Sequence, residues 1–258
     1  MLQCARATNG DTHTMQTQLP YEEHGTMRVY RDLVQGSDEW LAARCGLLTA
    51  SEMKLILTPG TLKQASNDKE RAHLFELLAQ RITNYVEPSF VTDDMIRGHE
   101  DEIEAKRIYS ENYAPVDSSV GFITNHKWGF TLGWSPDGLV GENGSIEVKS
   151  RRQKYQVQTL IENTLNGTIP GEYMLQIQTG LLVGGRDWMD FISFSGGLPM
   201  TTIRVFPDSR IQAAIIEAAG AFEARLSKQL DPFREASQAV AGRRVIPTER
   251  RIAQEMFV

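Results

Sequence analysis

The sequence SPDGLVGENGSIEVK, residues 135–149, decides the fold. A polar, glycine-containing turn separates two short apolar runs within it, and this pattern predicts a β-hairpin. Side chains along a strand point alternately to its two faces. We therefore expect Ile146 and Val148 to share one face of the second arm, while Glu147 and Lys149 share the opposite face.

The charged residues of this hairpin suggest a magnesium site. Asp137 precedes the first arm, and strand pairing is expected to bring it beside Glu147. Mg²⁺ prefers oxygen ligands and is often held by one or two carboxylates. Asp137 and Glu147 supply the carboxylates, and the carbonyl of Val148 is a third candidate ligand. Lys149 is then placed to position or deprotonate an attacking water.

The same pattern also has a structural interpretation. Asp137 can simply form the turn, with Glu147 and Lys149 as an ion pair on an exposed edge strand, and the bare spacing D-x₉-E-x-K is common. Pro136 and Gly138 favour the catalytic interpretation, because they fix a tight backbone where the first carboxylate must project.

Glu102 is a third acidic candidate. It belongs to a helical stripe with steps of three and four residues, made of Met95, Gly98, Glu102, Ala105 and Tyr109. The other members are apolar or small, so the stripe is expected to face inward. A carboxylate on such a stripe is costly unless it is paired or binds metal, and both a salt bridge and a metal ligand remain open.

Four further residues are less informative on their own. Gln176 and Gln178 lie on an otherwise apolar predicted helix, and residues two apart cannot share a helix face. One glutamine can therefore face the site, unless both bind local backbone. Arg44 on a short helix is most simply a surface charge, and Ser51 alone indicates nothing.

Composition excludes several classes of protein. The 258 residues are 41% hydrophobic and carry a net charge of -6, as in ordinary soluble globular proteins. No apolar run is long enough to span a membrane, and the first 26 residues lack the pattern of a signal peptide, so we expect a cytoplasmic protein. Two cysteines exclude a Cys4 metal site within one chain.

DNA binding depends on local rather than net charge, and residues 147–154 carry four basic side chains against one acidic.

The order of predicted elements indicates an α/β fold with a mixed central β-sheet flanked by helices. Helix starts are predicted at Ser37 and at Thr49–Glu52, and longer helices at 69–85, 93–112, 154–165, 171–184 and 208–228. Strands are predicted at 120–124, 130–134, 188–194 and 201–206, besides the hairpin. We divide the chain into a polar extension (1–26), a catalytic domain (27–231) and a basic tail (232–258).

Together these features resemble the phage-lambda-type alkaline exonucleases, the YqaJ-like viral recombinase branch of the PD-(D/E)xK nuclease superfamily. The resemblance runs from about Gln35 to Val183. It rests on Gln35 to Trp40, Arg44, Gly46, Thr49 to Ser51, Gly98, Glu102, Ser135 to Gly138, Glu147 to Lys149, Tyr173 and Gln176 to Gln178. One departure is Ser150-Arg151-Arg152, where the lambda-type sequence has Cys-Pro-Phe, so DNA contacts there are expected to differ.

The resemblance implies a PD-(D/E)xK core and a role for each matched residue. Asp137, Glu147 and the Val148 carbonyl match metal ligands, for two Mg²⁺ per site that Mn²⁺ can replace, and Glu102 matches an acidic residue at the second metal. Lys149 matches the catalytic lysine. Gln176 matches a site glutamine. Arg44 and Ser51, with Ser135 nearby, match residues that receive phosphate, including the terminal 5′ phosphate. Tyr173 is a further DNA contact. To these we add Arg151 and Arg152 as DNA contacts.

The resemblance also implies an activity. Family members digest duplex DNA from a 5′ end, form a ring of three subunits and act with a single-strand annealing protein. We therefore expect a phage- or prophage-encoded 5′→3′ exonuclease that acts on double-stranded DNA ends and leaves 3′ single strands for recombination. The alternatives are a PD-(D/E)xK endonuclease or repair nuclease of other polarity, and an inactive DNA-binding module. The intact set of Asp137, Glu147 and Lys149 argues against the last.

Overall fold

The computed structural model describes residues 19–87, 92–238 and 244–250. Its helices are α1 (Asp38–Arg44), α2 (Met53–Ile56), α3 (Asp68–Thr83), α4 (Asp93–Asn112), α5 (Gln153–Gln158), α6 (Gly171–Gly184), α7 (Ser209–Lys228) and α8 (Leu230–Ser237). Its strands are β1 (Glu22–His24), β2 (Met27–Arg31), β3 (Leu48–Thr49), β4 (Val120–Asn125), β5 (Leu132–Trp134), β6 (Gly138–Val140), β7 (Gly144–Ser150), β8 (Trp188–Phe194) and β9 (Thr201–Val205). None of the described helices is long and apolar enough to cross a membrane.

The strands form two sheets flanked by helices, so the α/β class with mixed strand directions is confirmed. One sheet has the order β1-β2-β4-β5-β3 and the other β6-β7-β8-β9. Each contains one parallel pair, β3 with β5 and β7 with β8, among antiparallel ones. The strands of the predicted mixed sheet are thus divided between two hydrogen-bonded sheets. The chain leaves β5 through Ser135 and Pro136, and proline has no N–H to continue a ladder.

The predicted hairpin is present, and five of the seven residues of its second arm, β7, are buried. Gly138 pairs with Ile146 in the antiparallel register of β6 and β7. Ile146 and Val148 pack with Ala105 and Tyr109 of α4 in an apolar cluster. The opposite face of β7, which carries Glu147 and Lys149, lies toward α6. The predicted alternation of faces is therefore confirmed.

The predicted helix starts are confirmed by their caps. The Ser37 side chain accepts a hydrogen bond from the Trp40 N–H at the start of α1. Thr49 and Glu52 form a capping box, in which the side chain of each residue contacts the backbone of the other. This capping box stabilises the start of a short 3₁₀ turn, Ala50–Glu52, which leads directly into α2.

Elsewhere the elements differ from the prediction. The helix expected at 154–165 is α5 followed by a π-helical turn (Thr159–Asn163) and a 3₁₀ turn (Thr164–Asn166). The strand expected at 130–134 begins at Leu132. The hairpin of β1 and β2 and the helix α8 were not predicted, and β1 lies within the segment assigned to the extension. Residues 1–18 and part of the tail lie outside the described residues, and the domain boundaries stay a prediction.

Helix α6 packs closely on the larger sheet through two glycines. A Cβ atom at Gly184 would lie 2.5 Å from Cζ3 of Trp134, and one at Gly180 would lie 2.8 Å from Nε1 of the same ring. Trp134 on β5 is only 1% exposed, so its ring has no free space to move into. This contact fixes the depth at which α6 lies over the sheets.

We predict that Gly184→Ala destabilises the protein by about 1–3 kcal/mol, because the added methyl overpacks against the rigid indole. Gly98→Ala is the matched control. Gly98 also lies in a helix, α4, but a Cβ there meets no atom within 4 Å. It should stabilise the protein by roughly 0.5–1 kcal/mol, the usual gain of alanine over glycine in a helix. Urea unfolding of both variants measures the two effects, and a neutral Gly184→Ala would contradict the packing argument.

Candidate active site

Glu147 is the buried centre of a polar cluster on β7. Its side chain is 2% exposed. Its Oε1 accepts hydrogen bonds of 2.6 Å from Lys149 Nζ and of 2.6 Å from Gln176 Nε2. Its Oε2 is buried without a hydrogen-bond partner in the described part of the chain. Because a buried carboxylate oxygen without a partner is costly, this atom has the properties of an open ligand position.

Asp137 stands beside Glu147 at the start of the hairpin. Gly138 lies opposite Ile146 in the antiparallel register, so the next two residues to lie opposite each other are Asp137 and Glu147. Asp137 Oδ2 accepts a 2.6 Å hydrogen bond from the Val148 N–H. Burial, and then the nearby negative charges of Glu147 and Glu102, raise the pKa of Asp137 well above its ordinary value. These carboxylates therefore repel one another unless a cation joins them.

Lys149 supplies one cation on this face. Burial by itself lowers the pKa of a lysine, but the charges of Glu147 and Asp137 outweigh burial here and raise the pKa of Lys149 to about 12. The ammonium group is therefore charged at neutral pH. It lies 5.4 Å from the centre of the Tyr173 ring, which covers one side of it.

The structural interpretation of these residues was wrong. Strand β7 lies between β6 and β8 rather than at an edge of its sheet, and Glu147 is buried. Asp137 also does more than form a turn, since it accepts a hydrogen bond from the opposite arm.

Glu102 lies on α4 at the margin of this cluster. Its Oε1 lies 2.5 Å from Lys106 Nζ, and its side chain is 22% exposed, so the salt bridge that the sequence left open is present. The stripe faces inward at Ala105 and Tyr109, but Met95 at the other end is 53% exposed. Glu102 still contributes its charge to Asp137. The i,i+4 spacing of Glu102 and Lys106 was a usable signal for the ion pair.

The two glutamines of α6 have separate roles. Gln176 reaches Glu147, whereas Gln178 donates to the Phe206 carbonyl at 2.8 Å and accepts from the Asp208 N–H at 2.8 Å. The expectation that only one of them faces the site is confirmed. Gln178 instead holds the loop that leads into α7.

Arg44 is not the surface charge that the sequence suggested. Its guanidinium lies 4.4 Å from the centre of the Trp40 ring and is 3.0 Å from Glu52 Oε1 and 3.3 Å from Thr49 Oγ1. The hydroxyl of Thr49 is also 3.3 Å from that of Ser51, whose side chain is exposed. Arg44 and Ser51 therefore lie together at the capping box, on a partly buried platform.

Trp40 connects this platform to the hairpin. Its Nε1 donates a 2.9 Å hydrogen bond to the Ser135 hydroxyl, two residues before Asp137. Ser135 is thus brought to Arg44 through the indole. Sequence analysis did not identify Trp40 or Glu52 as site residues, although the Thr49–Glu52 capping pattern was visible.

The two arginines after β7 diverge. Arg151 Nη1 donates to the Tyr173 hydroxyl and, at 2.9 Å, to Glu172, and its side chain is only 10% exposed. Arg152 is 63% exposed and lies 3.1 Å from Asp94. Only Arg151 is therefore connected to the residues around Lys149.

The donor set of the cluster fits a hard divalent cation. Asp137, Glu147 and a backbone carbonyl offer only oxygen atoms, which Mg²⁺ and Mn²⁺ prefer. Within the described ranges no three His, Cys, Asp or Glu side chains are arranged to hold a metal by themselves. A site made of two carboxylates, a carbonyl and waters does not need a third carboxylate, and the unpartnered Glu147 Oε2 is free to act as one of its ligands.

Comparison with known proteins identifies the family of this chain. The model of the YqaJ-like viral recombinase domain matches residues 39–187, more than half of the chain. The chain belongs to the YqaJ-like viral recombinase family. That match includes every site residue described above, from Trp40 to Gln178.

Solved structures place this YqaJ-family chain among the exonucleases. An alkaline exonuclease from Laribacter hongkongensis, LHK-Exo, is similar with a TM-score of 0.66 and 30% identity, over 77% of this chain and 97% of that one. The same enzyme in complex with dAMP is 29% identical over equal shares. A phage-related exonuclease from Haemophilus somnus, at 12% identity and a TM-score of 0.54 over 72% of this chain and 96% of that one, supports the fold alone. Curated protein sequences give no match.

The YqaJ-family chain is therefore an alkaline-exonuclease-like nuclease, a hydrolase that degrades DNA. Its mixed sheets and flanking helices are the PD-(D/E)xK-type architecture of those exonucleases. Nucleases of this family normally need a divalent metal.

We predict that Asp137→Asn stabilises the metal-free nuclease, because it removes one of the repelling carboxylates at low cost in shape. Each kcal/mol gained raises Tm by roughly 2–4 °C in a domain of this size. The matched control is Asp190→Asn on β8. Asp190 is also buried, but it accepts 2.8 Å hydrogen bonds from Arg204 and one of 2.7 Å from Tyr109.

Asp190→Asn should accordingly lower Tm, because Arg204 then loses the negative charge with which it pairs. Thermal unfolding in excess EDTA measures both variants. Equal losses of stability in the two would show that Asp137 is a structural carboxylate like Asp190.

Proposed function

We propose that this nuclease is a metal-dependent 5′→3′ exonuclease of double-stranded DNA that leaves 3′ single strands for recombination by single-strand annealing. The observation that carries the proposal is the buried carboxylate of Glu147. It bonds to Lys149 and Gln176, lies beside Asp137 and has one oxygen without a partner. The enzyme acts in the cytoplasm of a bacterial host and is encoded by a phage or prophage.

Asp137, Glu147 and the Val148 carbonyl would hold Mg²⁺ or Mn²⁺, and Glu102, now paired with Lys106, would serve a second ion. The metal, when bound, acidifies water and neutralises charge on the phosphate. The Val148 N–H fixes Asp137 Oδ2. Since that hydrogen bond occupies one oxygen, Asp137 presents the other to the ligand. Gln176 fixes Glu147 in the same way through Oε1, which leaves Oε2 for the ligand.

Lys149, which is charged at neutral pH, positions the attacking water and stabilises the negative charge that develops as this water loses its proton. Water attacks the phosphorus between the first and second nucleotides, and the bond from phosphorus to the 3′ oxygen of the first breaks. That oxygen takes a proton and leaves as the 3′-hydroxyl of a 5′-mononucleotide. The shortened strand then begins with a new 5′ phosphate. The solved complex of LHK-Exo with dAMP, a mononucleotide of this kind, supports the proposal.

Arg44, Ser51 and Ser135 receive the terminal 5′ phosphate, and this contact gives the reaction its polarity. A guanidinium binds phosphate through paired, charge-assisted hydrogen bonds. Glu52 and the Trp40 ring hold Arg44 from two sides, so little side-chain freedom is lost when phosphate arrives. Tyr173, Arg151 and Arg152 contact DNA beyond the cleaved bond. By resemblance, the enzyme forms a ring of three subunits and works with a single-strand annealing protein.

We predict that Mg²⁺ and Mn²⁺ support digestion of end-labelled duplex, that Ca²⁺ supports binding alone and that EDTA stops the reaction. Asp137→Ala and Glu147→Ala should lose both activity and metal binding. Lys149→Met should slow digestion by about 10²–10⁴-fold but keep metal binding, because a charged lysine offers the metal no lone pair. Titration calorimetry with Mn²⁺ separates the two classes. Equal loss of metal in Lys149→Met and Asp137→Ala would show that the roles are assigned wrongly.

We predict that Arg44→Ala slows digestion of 5′-phosphorylated duplex far more than that of 5′-hydroxyl duplex. Arg44→Lys should recover only part of the rate, since an ammonium group cannot make the paired contact. Digestion rates of wild type and both variants on the two substrates provide the test. The same fold loss on both substrates would make Arg44 a general structural residue and would leave the 5′ polarity without support.

A further inference from the structure

A buried histidine lies next to the capping box, outside the carboxylate cluster. His73 on α3 is 2% exposed, and its ring stacks on that of Phe222 of α7, with 5.8 Å between the ring centres. Its Nδ1 is 3.1 Å from Oε2 of Glu76. Its Nε2 is buried and has no hydrogen-bond partner among the described residues. An apolar side chain would fill this position without leaving a buried polar atom unpaired, so the second ring nitrogen needs an explanation.

Glu52 of the capping box lies within reach of this nitrogen. The distance from His73 Nε2 to Glu52 Oε2 is 3.9 Å, which is about 1 Å longer than a hydrogen bond. The other oxygen of Glu52, Oε1, binds Arg44 at 3.0 Å. Oε2 accepts hydrogen bonds from the N–H and the hydroxyl of Thr49, at 3.1 and 2.7 Å. A small shift of Glu52 therefore joins His73 to the carboxylate that holds Arg44.

The pairing of Arg44 with Glu52 opposes the binding of phosphate to Arg44. A phosphate there brings a second negative group to a guanidinium that already has an anionic partner. The side chain of Glu52 is only 22% exposed, so solvent screens the repulsion between the two anions poorly. A donor that binds Glu52 at Oε2 lowers this repulsion, because it stabilises negative charge on that oxygen rather than on the one that faces Arg44.

We propose that His73 is a positioning residue for recognition of the 5′ phosphate; this rests on the phosphate contact proposed above for Arg44. When phosphate binds Arg44, Glu52 moves toward His73, and the Nε2–H group donates a hydrogen bond to Oε2. In that tautomer Nδ1 carries no proton, and the carboxylate of Glu76, which is 60% exposed, turns to water. Stacking on Phe222 holds the imidazole in place. His73 is buried and does not contact DNA itself, but it frees Arg44 for the strand end.

The test measures binding of short duplexes to the full chain in excess EDTA, by fluorescence anisotropy, so that no metal-dependent cleavage occurs. One duplex carries 5′ phosphates and the other 5′ hydroxyls, and the ratio of their Kd values gives the preference for phosphate. His73→Phe keeps a ring against Phe222 but removes the donor, and it should lower this preference about tenfold, as expected for one hydrogen bond to a charged group. His73→Gln supplies an amide N–H and should restore most of the preference. Leu78→Ala is the control, because it loosens the packing of the same helix without removing a donor, and it should keep the wild-type preference.

A double-mutant cycle tests whether His73 acts through Glu52. Glu52→Gln removes the charge that repels phosphate, so the addition of His73→Phe to it should not change the preference further. The proposal is overturned if wild type binds both duplexes alike, if His73→Phe keeps the wild-type preference, if Leu78→Ala loses as much of it, or if the effects of His73→Phe and Glu52→Gln add independently. Failure of the exonuclease proposal looks different. In that case duplex remains undigested with Mg²⁺, while the binding preference and its dependence on His73 persist in EDTA.

Discussion

The buried carboxylate of Glu147 is the constraint on which the rest of the site depends. An isolated charge inside a protein is too costly to keep. The Glu147 carboxylate therefore accepts hydrogen bonds from Lys149 and Gln176, each of 2.6 Å. Lys149 reaches it because both lie on the same face of β7. Gln176 reaches it because two glycines let α6 approach the sheets. The second oxygen, Oε2, remains for a ligand. One side chain therefore links the packing of the fold to the chemistry of the site.

The residues that could be predicted from sequence are those whose geometry is local. Alternation along a strand placed Glu147 and Lys149 together, helical spacing separated Gln176 from Gln178, and a short turn placed Asp137 near Glu147. All three inferences use residues that are close in the sequence. The first two depend on the strand period of two residues and the helix period of about 3.6 residues. The resemblance to lambda-type exonucleases added Arg44 and Ser51, which no local pattern indicated.

What could not be predicted depends on contacts between distant parts of the chain. The hydrogen bond from Trp40 to Ser135 spans 95 positions, and no periodicity reports it. The division of the strands between two sheets depends on which strands pair, and several of those pairs join distant parts of the chain. The π-helical turn at Thr159–Asn163 interrupts a segment that has an ordinary helical pattern. A single sequence determines such features only through the packing of the whole fold.

Trp40 gives the site a fixed length. Its ring packs against the Arg44 guanidinium, and its Nε1 donates a hydrogen bond to Ser135. An indole is flat and cannot stretch, and the residue after Ser135 is a proline with little freedom of its own. If Arg44 holds the strand end and Asp137 marks the point of cleavage, this rigid spacer sets how far from the end the strand is cut. Each turnover would then remove a stretch of constant length, measured by the protein and not by the base sequence of the DNA.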